Sequence, residues 1–316
     1  MKAAVLIAWY GPFPVWIKGF LRSCTPIRSV EWIVFHEAPV PSPCPANVRF
    51  VYLPWTTFQE RIRKSSGAAP PSKPDYKLCD AKVFLGDAFA DLIEGFDYFG
   101  WGDLDIIYGD LDRFLESLFG KWNIISFHKD MISNHLVFFR NTPELRQLYT
   151  KIPDYKSAML KSEYASLDDT HLSSVAKQYP NAFFAEFHTT PFVNWIPWCD
   201  GTYNFPARWY WNQGKITNDL DRGYEFPYFH FMVWKGGSKF YYCESANWIN
   251  LPVDSFSLDS KCNAFSITAR GFTEVALGNP VKCKRITLEG KPSYSIMRRL
   301  RIKGQRLLKN LLTECS

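Results

Sequence analysis

A short acidic stretch inside an apolar segment constrains this chain most. Within Phe99–Asp110, Asp103 and Asp105 stand two residues apart among aromatic, glycine and branched apolar residues. If the segment is extended, the side-chain period of two points both carboxylates to one side and Leu104 to the other, into a core. Two close carboxylates in such surroundings repel unless a cation lies between them, and Mg²⁺ or Mn²⁺ fills that role while also holding phosphates. The alternative is a surface turn, because Gly and Asp are common turn residues.

The composition is that of a globular chain with a large core. Of its 316 residues, 47% are hydrophobic and 17% aromatic, enough for one large domain or two moderate ones. The net charge of +6 is modest and its basic residues crowd near the C-terminus, so no nucleic-acid partner is expected. The eight cysteines lie far apart without metal-finger spacing, which indicates reduced thiols and a cytoplasmic location. No apolar run approaches the ~20 residues that span a bilayer.

Apolar strands alternate with helical segments in the first part of the chain. The predicted strands are 3–9, 31–36 and 47–53, and the predicted helix after the first of them is 15–23. This alternation is typical of a mostly parallel sheet covered by helices. Ligands bind at the carboxyl ends of such strands, so Trp9, Tyr10 and Gly11 are candidate cofactor-binding residues.

A polar loop and a helix are predicted next. Residues 61–74 are rich in Ser, Ala, Gly and Pro and indicate a mobile loop, either a plain surface loop or one that closes over a ligand. Residues 76–93 have apolar positions at helical spacing, with Lys77, Asp80 and Lys82 near the N-terminal end. A helix start beside basic residues suits an anion. Lys77 and Asp80 are therefore candidate cofactor-binding residues.

The middle of the chain adds polar positions beside predicted structure. Two strands are predicted within 124–140, and the polar residues between them, including Asn134 and His135, are expected at a sheet end. A helix is predicted to open near residue 166 with Asp168 and Asp169 in its first turn. Capping of the helix dipole would explain these two carboxylates without any catalytic role.

A histidine and a lysine follow late in the chain. His230 and Lys235 lie five residues apart in an aromatic segment that ends in Gly236 and Gly237. A single His on an aromatic strand is more often a hydrogen-bonded core residue than a ligand. Together with the upstream aspartate pair, however, it favours a site for a metal and a diphosphate.

Four blocks of sequence carry a resemblance to known transferases. In chain order the blocks are 75–82, 98–111, 133–141 and 230–235. They resemble nucleotide-sugar-dependent glycosyltransferases of the GT-A fold, and in particular bacterial enzymes that build lipopolysaccharide O-antigen or capsular glycans. The resemblance covers roughly residues 1–240 and implies an α/β fold, with a Rossmann-like, mainly parallel mixed sheet flanked by helices.

The resemblance also implies roles for individual residues. In retaining enzymes of glycosyltransferase family eight, two aspartates and a late histidine hold Mn²⁺ on a nucleotide diphosphate. Carried over, Asp103, Asp105 and His230 bind Mn²⁺ or Mg²⁺, and Lys235 binds the diphosphate. The closing motif departs from that family, because Trp234 precedes Lys235 here and no Gly separates His from Lys as it does there.

Further roles follow from the same resemblance. The segment with Asp168 and Asp169 is similar to one that lines the reaction centre in that family, although the family's glutamine is missing. These two aspartates and Lys235 are the expected catalytic residues, and Asn134 and His135 the expected acceptor contacts. The expected donor is a UDP-sugar, transferred with retention to a growing cell-surface glycan or a lipid-linked glycan.

Two other classes of protein stay open from the sequence. In a non-catalytic glycan-binding protein, aromatic side chains would stack on sugars and a metal at Asp103 and Asp105 would bridge hydroxyls. A phosphohydrolase is the third option. Transfer from nucleotide sugars with and without Mn²⁺ separates these classes.

The chain divides into three predicted regions. They are a catalytic domain at 1–245, an extension of the same domain at 246–292 and a basic tail at 293–316. Within the tail, 294–312 has apolar residues at helical spacing with six basic residues around them, which predicts a basic amphipathic helix. Such a helix could hold the protein on the anionic inner face of the cytoplasmic membrane, or pack against the domain instead.

Overall fold

The computed structural model of the chain describes residues 1–128, 131–184, 208–219, 224–235, 247–259, 262–275 and 284–285. The predicted amphipathic tail at 293–316 lies outside these residues. Within the described part of the chain, no helix has the length and apolar character needed to cross a membrane.

Strands and short helices alternate along the chain. The strands are β1 Ala3–Ala8, β2 Val30–His36, β3 Val48–Tyr52, β4 Tyr98–Gly102, β5 Ile106–Tyr108, β6 Ile124–Ser126, β7 Leu136–Arg140, β8 Ala182–Phe184, β9 Arg208–Asn212, β10 Lys215–Asn218, β11 Tyr224–Glu225, β12 Tyr228–His230, β13 Ala264–Thr268, β14 Gly271–Glu274 and β15 Lys284–Arg285. The α-helices are α1 Ile17–Cys24, α2 Trp55–Ser66, α3 Leu85–Ala88, α4 Leu111–Leu115, α5 Pro143–Arg146, α6 Tyr155–Leu160, α7 Leu172–Ala176 and α8 Met232–Lys235. Further 3₁₀ turns are Tyr76–Phe84, Ala90–Leu92, Leu148–Lys151, Trp248–Asn250 and Val253–Phe256, and Leu167–His171 is a π-helical turn.

The central sheet of the described residues has seven strands in the order β3-β2-β1-β4-β7-β6-β8. The pairs β1–β2, β2–β3, β1–β4 and β6–β8 are parallel, and β7 runs antiparallel between β4 and β6. β1 is buried on both faces, because Val5 belongs to one apolar cluster and Leu6 to the other. The prediction of a mainly parallel mixed sheet flanked by helices is confirmed.

The predicted strand that carries the aspartate pair is broken in the structure. β4 ends at Gly102, where a side chain would crowd Val5 Cγ1 at 3.0 Å and the carbonyl oxygen of His135 at 3.4 Å. The chain bends through residues 103–105, and β5 then leaves the central sheet to pair antiparallel with β12. The condition of one extended segment through Asp103 and Asp105 is therefore not met, and the two aspartates lie in a bend after the strand.

The helical segments before β4 also differ from the prediction. α2 continues to Ser66 and ends at Gly67, whose φ of 63° is left-handed and whose N–H bonds to the carbonyl of Arg63, so the predicted loop begins in a helix. Residues 76–84 form a 3₁₀ helix capped by Asp75, not the start of a long α-helix. The tighter winding changes which side chains share a face, since residues three apart eclipse in a 3₁₀ helix.

A second, four-stranded sheet joins distant parts of the chain. Its order is β10-β9-β13-β14, with β13 antiparallel to β9. Trp248 packs against Trp16, Phe231 and Trp234, with ring centroids 4.5–6.1 Å apart. The described segments within 247–275 therefore pack on the same core as β1 and α1.

Candidate active site

A cavity of about 320 Å³ opens beside the carboxyl ends of β1 and β4. Trp9 and Tyr10 line it just after β1, and the bend at 103–105 lines it after β4. Residues 74–76 are the exposed residues among those that line the cavity, so they lie at its mouth. This position agrees with the general rule that ligands bind at the carboxyl ends of parallel strands.

Three hydrogen bonds from separate elements hold the backbone of the acidic bend. Trp16 Nε1 donates to the carbonyl of Leu104 at 3.1 Å. The N–H of Asp103 donates to the carbonyl of His135 at 3.1 Å, and the N–H of Phe231 donates to that of Asp105, also at 3.1 Å. Both carboxylates are thereby held in place beside the cavity.

Pairing of β12 with β5 brings His230 to the aspartates. His230 lies opposite Ile106 in that pair, and its Nε2 is 3.5 Å from Asp105 Oδ2. One potential ligand atom from each of Asp103, Asp105 and His230 lies within 4.8 Å of the others. The predicted metal ligands are therefore adjacent in space.

His135 stacks behind His230. The two imidazoles are 4.2 Å apart at 20°, and His135 Nε2 lies 2.8 Å from the hydroxyl of Tyr228. His135 is fully buried and is not part of the described cavity wall, whereas Asn134 is. The stack fixes the ring plane of His230, so its Nε2 is directed by packing as well as by its contact with Asp105.

Lys235 makes the closest charge contact at the site. It ends α8, the turn after β12, and its Nζ lies 2.6 Å from Asp105 Oδ2. Burial alone would raise the pKa of Asp105, but Lys235 and His230 together hold it well below its usual range. Burial would lower the pKa of Lys235, and Asp105 with Asp103 raises it overall. Both groups are therefore charged at neutral pH, and the Trp that precedes Lys235 does not prevent its approach.

Lys82 is a site residue that the predicted set of functional residues omitted. Its Nζ lies 2.7 Å from Asp103 Oδ1, 2.9 Å from the carbonyl oxygen of Asn134 and 3.8 Å from Asp168 Oδ2. Burial would lower its pKa, yet Asp103, Cys79 and Asp168 raise it overall, so the ammonium stays charged. Predicting a 3₁₀ helix over 76–84 would have placed Lys82 on the same face as Cys79, three residues before it, and both line the cavity.

Lys77 and Asp80 lie on the other face of that 3₁₀ helix. Lys77 Nζ is 2.9 Å from Asp80 Oδ2 and also donates to the carbonyl of Ala158 at 2.8 Å. Asp80 accepts from the backbone N–H groups of Ala165 and Leu167, at 2.7 and 2.8 Å. Neither residue lines the described cavity, so the structure does not bring these two predicted cofactor-binding residues to it. Gly11 also lies off the described wall, with a φ of 151°.

Asp168 and Asp169 are buried in the π-helical turn, behind Lys82. The hydroxyl of Tyr164 is 2.7 Å from Asp168 Oδ1 and 2.9 Å from Asp169 Oδ2. Burial raises the pKa of Asp168 to about 8, with Lys82 opposing and Asp169 adding to the rise. Asp168 therefore reaches the cavity through Lys82 and not directly, and its catalytic role stays a prediction.

The potential metal-ligand atoms at the bend suit a hard divalent cation. Two carboxylates and one imidazole are oxygen and nitrogen ligands of the kind that Mn²⁺ accepts, and Mg²⁺ favours the carboxylates. Each carboxylate now pairs with a lysine through one oxygen, which shows that this cluster already needs compensating positive charge. Asp103, Asp105 and His230 are thus a possible divalent metal site.

Comparison with known proteins places the chain in a family. Among solved structures, it is similar to the apo form of mouse xyloside xylosyltransferase 1, with a TM-score of 0.37 and 10% identity over 58% of this chain and 85% of that one. The chain has no significant match among curated proteins. The sequence pattern of one family matches residues 5–269, most of the chain. The chain therefore belongs to the family described as a family of unknown function, DUF6625.

Proposed function

We propose that this protein is a metal-dependent glycosyltransferase that takes its sugar from a nucleotide diphosphate sugar. The observation that carries the proposal is the meeting of Asp103, Asp105 and His230 with two lysines on one cavity. Carboxylates and an imidazole suit a cation, and nearby ammonium groups suit the phosphates that this cation would hold. The four sequence blocks that resemble such transferases support the same reaction class.

The residues of the site match the charge that develops in this reaction. Transfer breaks the bond between the anomeric carbon of the sugar and a phosphate oxygen, and the nucleotide diphosphate leaves with added negative charge. When bound, the metal supplies Lewis-acid stabilisation of that charge. Lys235 is charged, half-exposed and next to Asp105, so it adds fixed positive charge where the diphosphate leaves.

Lys82 has a second electrostatic role in this proposal. Its ammonium compensates Asp103 on one side and faces buried Asp168 on the other. Removing it would leave Asp103 and Asp168 without their shared cation. Lys82 therefore orients Asp103 and offsets its negative charge beside the donor phosphates.

We extend the proposal to the finer points that the resemblance implies. The donor is a UDP-sugar, the metal is Mn²⁺, and the anomeric configuration is retained. The acceptor is a growing cell-surface glycan, lipid-linked at the cytoplasmic face of the membrane. Retention is tested by NMR of the product, and a product with the opposite configuration to the donor would exclude it without affecting the metal site.

The central experiment measures UDP-sugar hydrolysis or transfer across a panel of UDP-glucose, UDP-galactose, UDP-xylose and UDP-N-acetylglucosamine, with and without Mn²⁺. We expect turnover of at least one donor, lost on chelation and lost in Asp103→Asn. The matched control is Asp110→Asn, in the same acidic stretch, because Asp110 caps α4 and does not line the cavity. Glycan binding without turnover of any donor would instead identify a glycan-binding protein.

A further inference from the structure

An exposed aromatic ring stands at the mouth of the cavity. Tyr76 lines the cavity and yet is 65% exposed. It lies three and six residues before Cys79 and Lys82 on the 3₁₀ helix, so all three share the cavity face. Its exposed face is therefore available to a ligand that enters the cavity.

The ring of Tyr76 is braced from behind. It packs edge to face on Tyr164, with centroids 4.9 Å apart at 64°. The Tyr164 hydroxyl lies within hydrogen-bond distance of Asp168 and Asp169. Asp80 fixes the backbone on the next residues by accepting from Ala165 and Leu167. The exposed ring therefore packs on a side chain that a buried network holds in place, which lowers the entropy lost when a ligand stacks on it.

The charged groups of the site act electrostatically on the phenol of Tyr76. Partial burial raises the pKa of Tyr76 to about 12, with Cys79 and Asp168 adding to the rise and Lys82 opposing it. The phenol is therefore neutral at physiological pH and able to donate a hydrogen bond. An aromatic face with a neutral hydroxyl donor matches a sugar ring, which has an apolar C–H face and hydroxyl edges.

We infer that Tyr76, braced by Tyr164, is the platform on which the acceptor sugar stacks. The inference rests on the proposed glycosyltransferase function. The donor diphosphate has to reach the inner cluster of Asp103, Asp105 and Lys235, whereas a growing glycan enters from solvent and has to leave the same way. Of the described residues that line the cavity, Tyr76 is the aromatic side chain at the solvent edge. The occupant of its exposed face is therefore the acceptor and not the nucleotide.

The test separates acceptor binding from donor binding. Calorimetry with UDP and Mn²⁺ reports on the nucleotide site. Saturation-transfer NMR with the methyl glycosides of glucose, galactose, mannose and N-acetylglucosamine reports on the platform, with and without UDP and Mn²⁺. The variants are Tyr76→Ala, which removes the ring, and Tyr76→Phe, which keeps the ring and removes the hydroxyl. Tyr52→Ala is the matched control, since Tyr52 is 67% exposed and does not line the described cavity.

We expect wild-type protein to bind at least one glycoside through its C–H face. Tyr76→Ala should weaken that binding about tenfold, as loss of one aromatic stack implies. Tyr76→Phe should retain most of it, Tyr52→Ala should match wild type, and the affinity for UDP with Mn²⁺ should be unchanged in all three variants.

Three results would overturn the platform. They are glycoside binding by Tyr76→Ala equal to wild type, weaker UDP binding in that variant at unchanged glycoside binding, or no glycoside bound by wild type under either condition. Failure of UDP and Mn²⁺ to bind wild type would count against the proposed function instead. In that case the nucleotide-free titration still decides whether Tyr76 binds sugar.

Discussion

Two lysine–aspartate pairs in this protein have nearly the same geometry and opposite surroundings. Lys77 and Asp80 are 2.9 Å apart, and Lys235 and Asp105 are 2.6 Å apart. The side chains of the first pair are 5% and 0% exposed, and both oxygens of Asp80 accept backbone N–H groups. In the second pair Lys235 is 37% exposed and both residues line the cavity.

The difference between the pairs lies in what remains available to a ligand. Asp80 has its oxygens filled by the chain itself, so its charge stabilises the fold and the segment that carries Tyr164. Asp105 faces a cavity beside Asp103 and His230, so its charge can be shared with a metal or a substrate. An ion pair of this type thus stabilises the fold where the chain surrounds its carboxylate, and stays available to a ligand where the carboxylate faces a cavity.

The largest expected effect is a loss of stability when the closed pair, Lys77 with Asp80, is broken. Asp80→Asn would leave the buried ammonium of Lys77 unpaired and set an amide N–H₂ against backbone donors, at a cost of about 3–5 kcal/mol. Urea unfolding measures the loss, and Asp105→Asn serves as the matched variant with a smaller loss because water reaches Lys235. Equal destabilisation by the two substitutions would remove the distinction between the pairs.

The second effect is a loss of ligand binding when the open pair, Lys235 with Asp105, is changed. Asp105→Asn should weaken Mn²⁺-dependent UDP binding by about 100-fold, because a charged ligand to the cation is lost. Titration calorimetry at fixed Mn²⁺ gives the change, and Lys77→Met, if it folds, should bind UDP normally. Wild-type affinity in Asp105→Asn would contradict the metal site.

A smaller loss is expected when the cation of the open pair is removed. Lys235→Met keeps an unbranched side chain one atom shorter and removes the charge, so UDP binding should weaken about tenfold, in the range for a charged hydrogen bond. The salt dependence of UDP binding should also become shallower, since one screened charge is gone. An unchanged affinity and salt dependence would restrict Lys235 to pairing with Asp105.

The most gradual effect is on the pH dependence of stability. Because burial raises the pKa of Asp168 to about 8, the folded chain keeps a proton that the unfolded chain releases above about pH 4. This contribution to folding is fully present below about pH 4 and falls as pH rises to about 8, with a slope of at most about 1.4 kcal/mol per pH unit. Asp168→Asn should flatten the decline in unfolding free energy across this range. The same slope in wild type and variant would show that Asp168 is not the titrating group.

Parts of the site were predictable because they depend on local sequence. The aspartate pair, the strand before it and the late His with its Lys are visible as residue types at short spacing, and the structure brings Asp103, Asp105 and His230 together. The bend at 103–105 was not predicted, because the hydrogen bonds that hold it come from Trp16, His135 and Phe231, which are distant along the chain. An extended backbone would have placed the two carboxylates on one side of a strand. In the structure they come together at a bend instead.

The amino-acid sequence by itself determined the alternation of strands and helices, which favours a mostly parallel sheet, and the acidic pair at a strand end, since both depend on residues close along the chain. Tertiary structure decided which charges face the cavity. Apolar spacing over 76–84 does not distinguish a 3₁₀ helix from an α-helix, and the tighter winding turns Tyr76 and Lys82 to the cavity and Lys77 and Asp80 away from it. The meeting of His230 with Asp105 depends on β12 pairing with β5, and such long-range strand pairing is fixed by packing over the whole fold and not by local pattern.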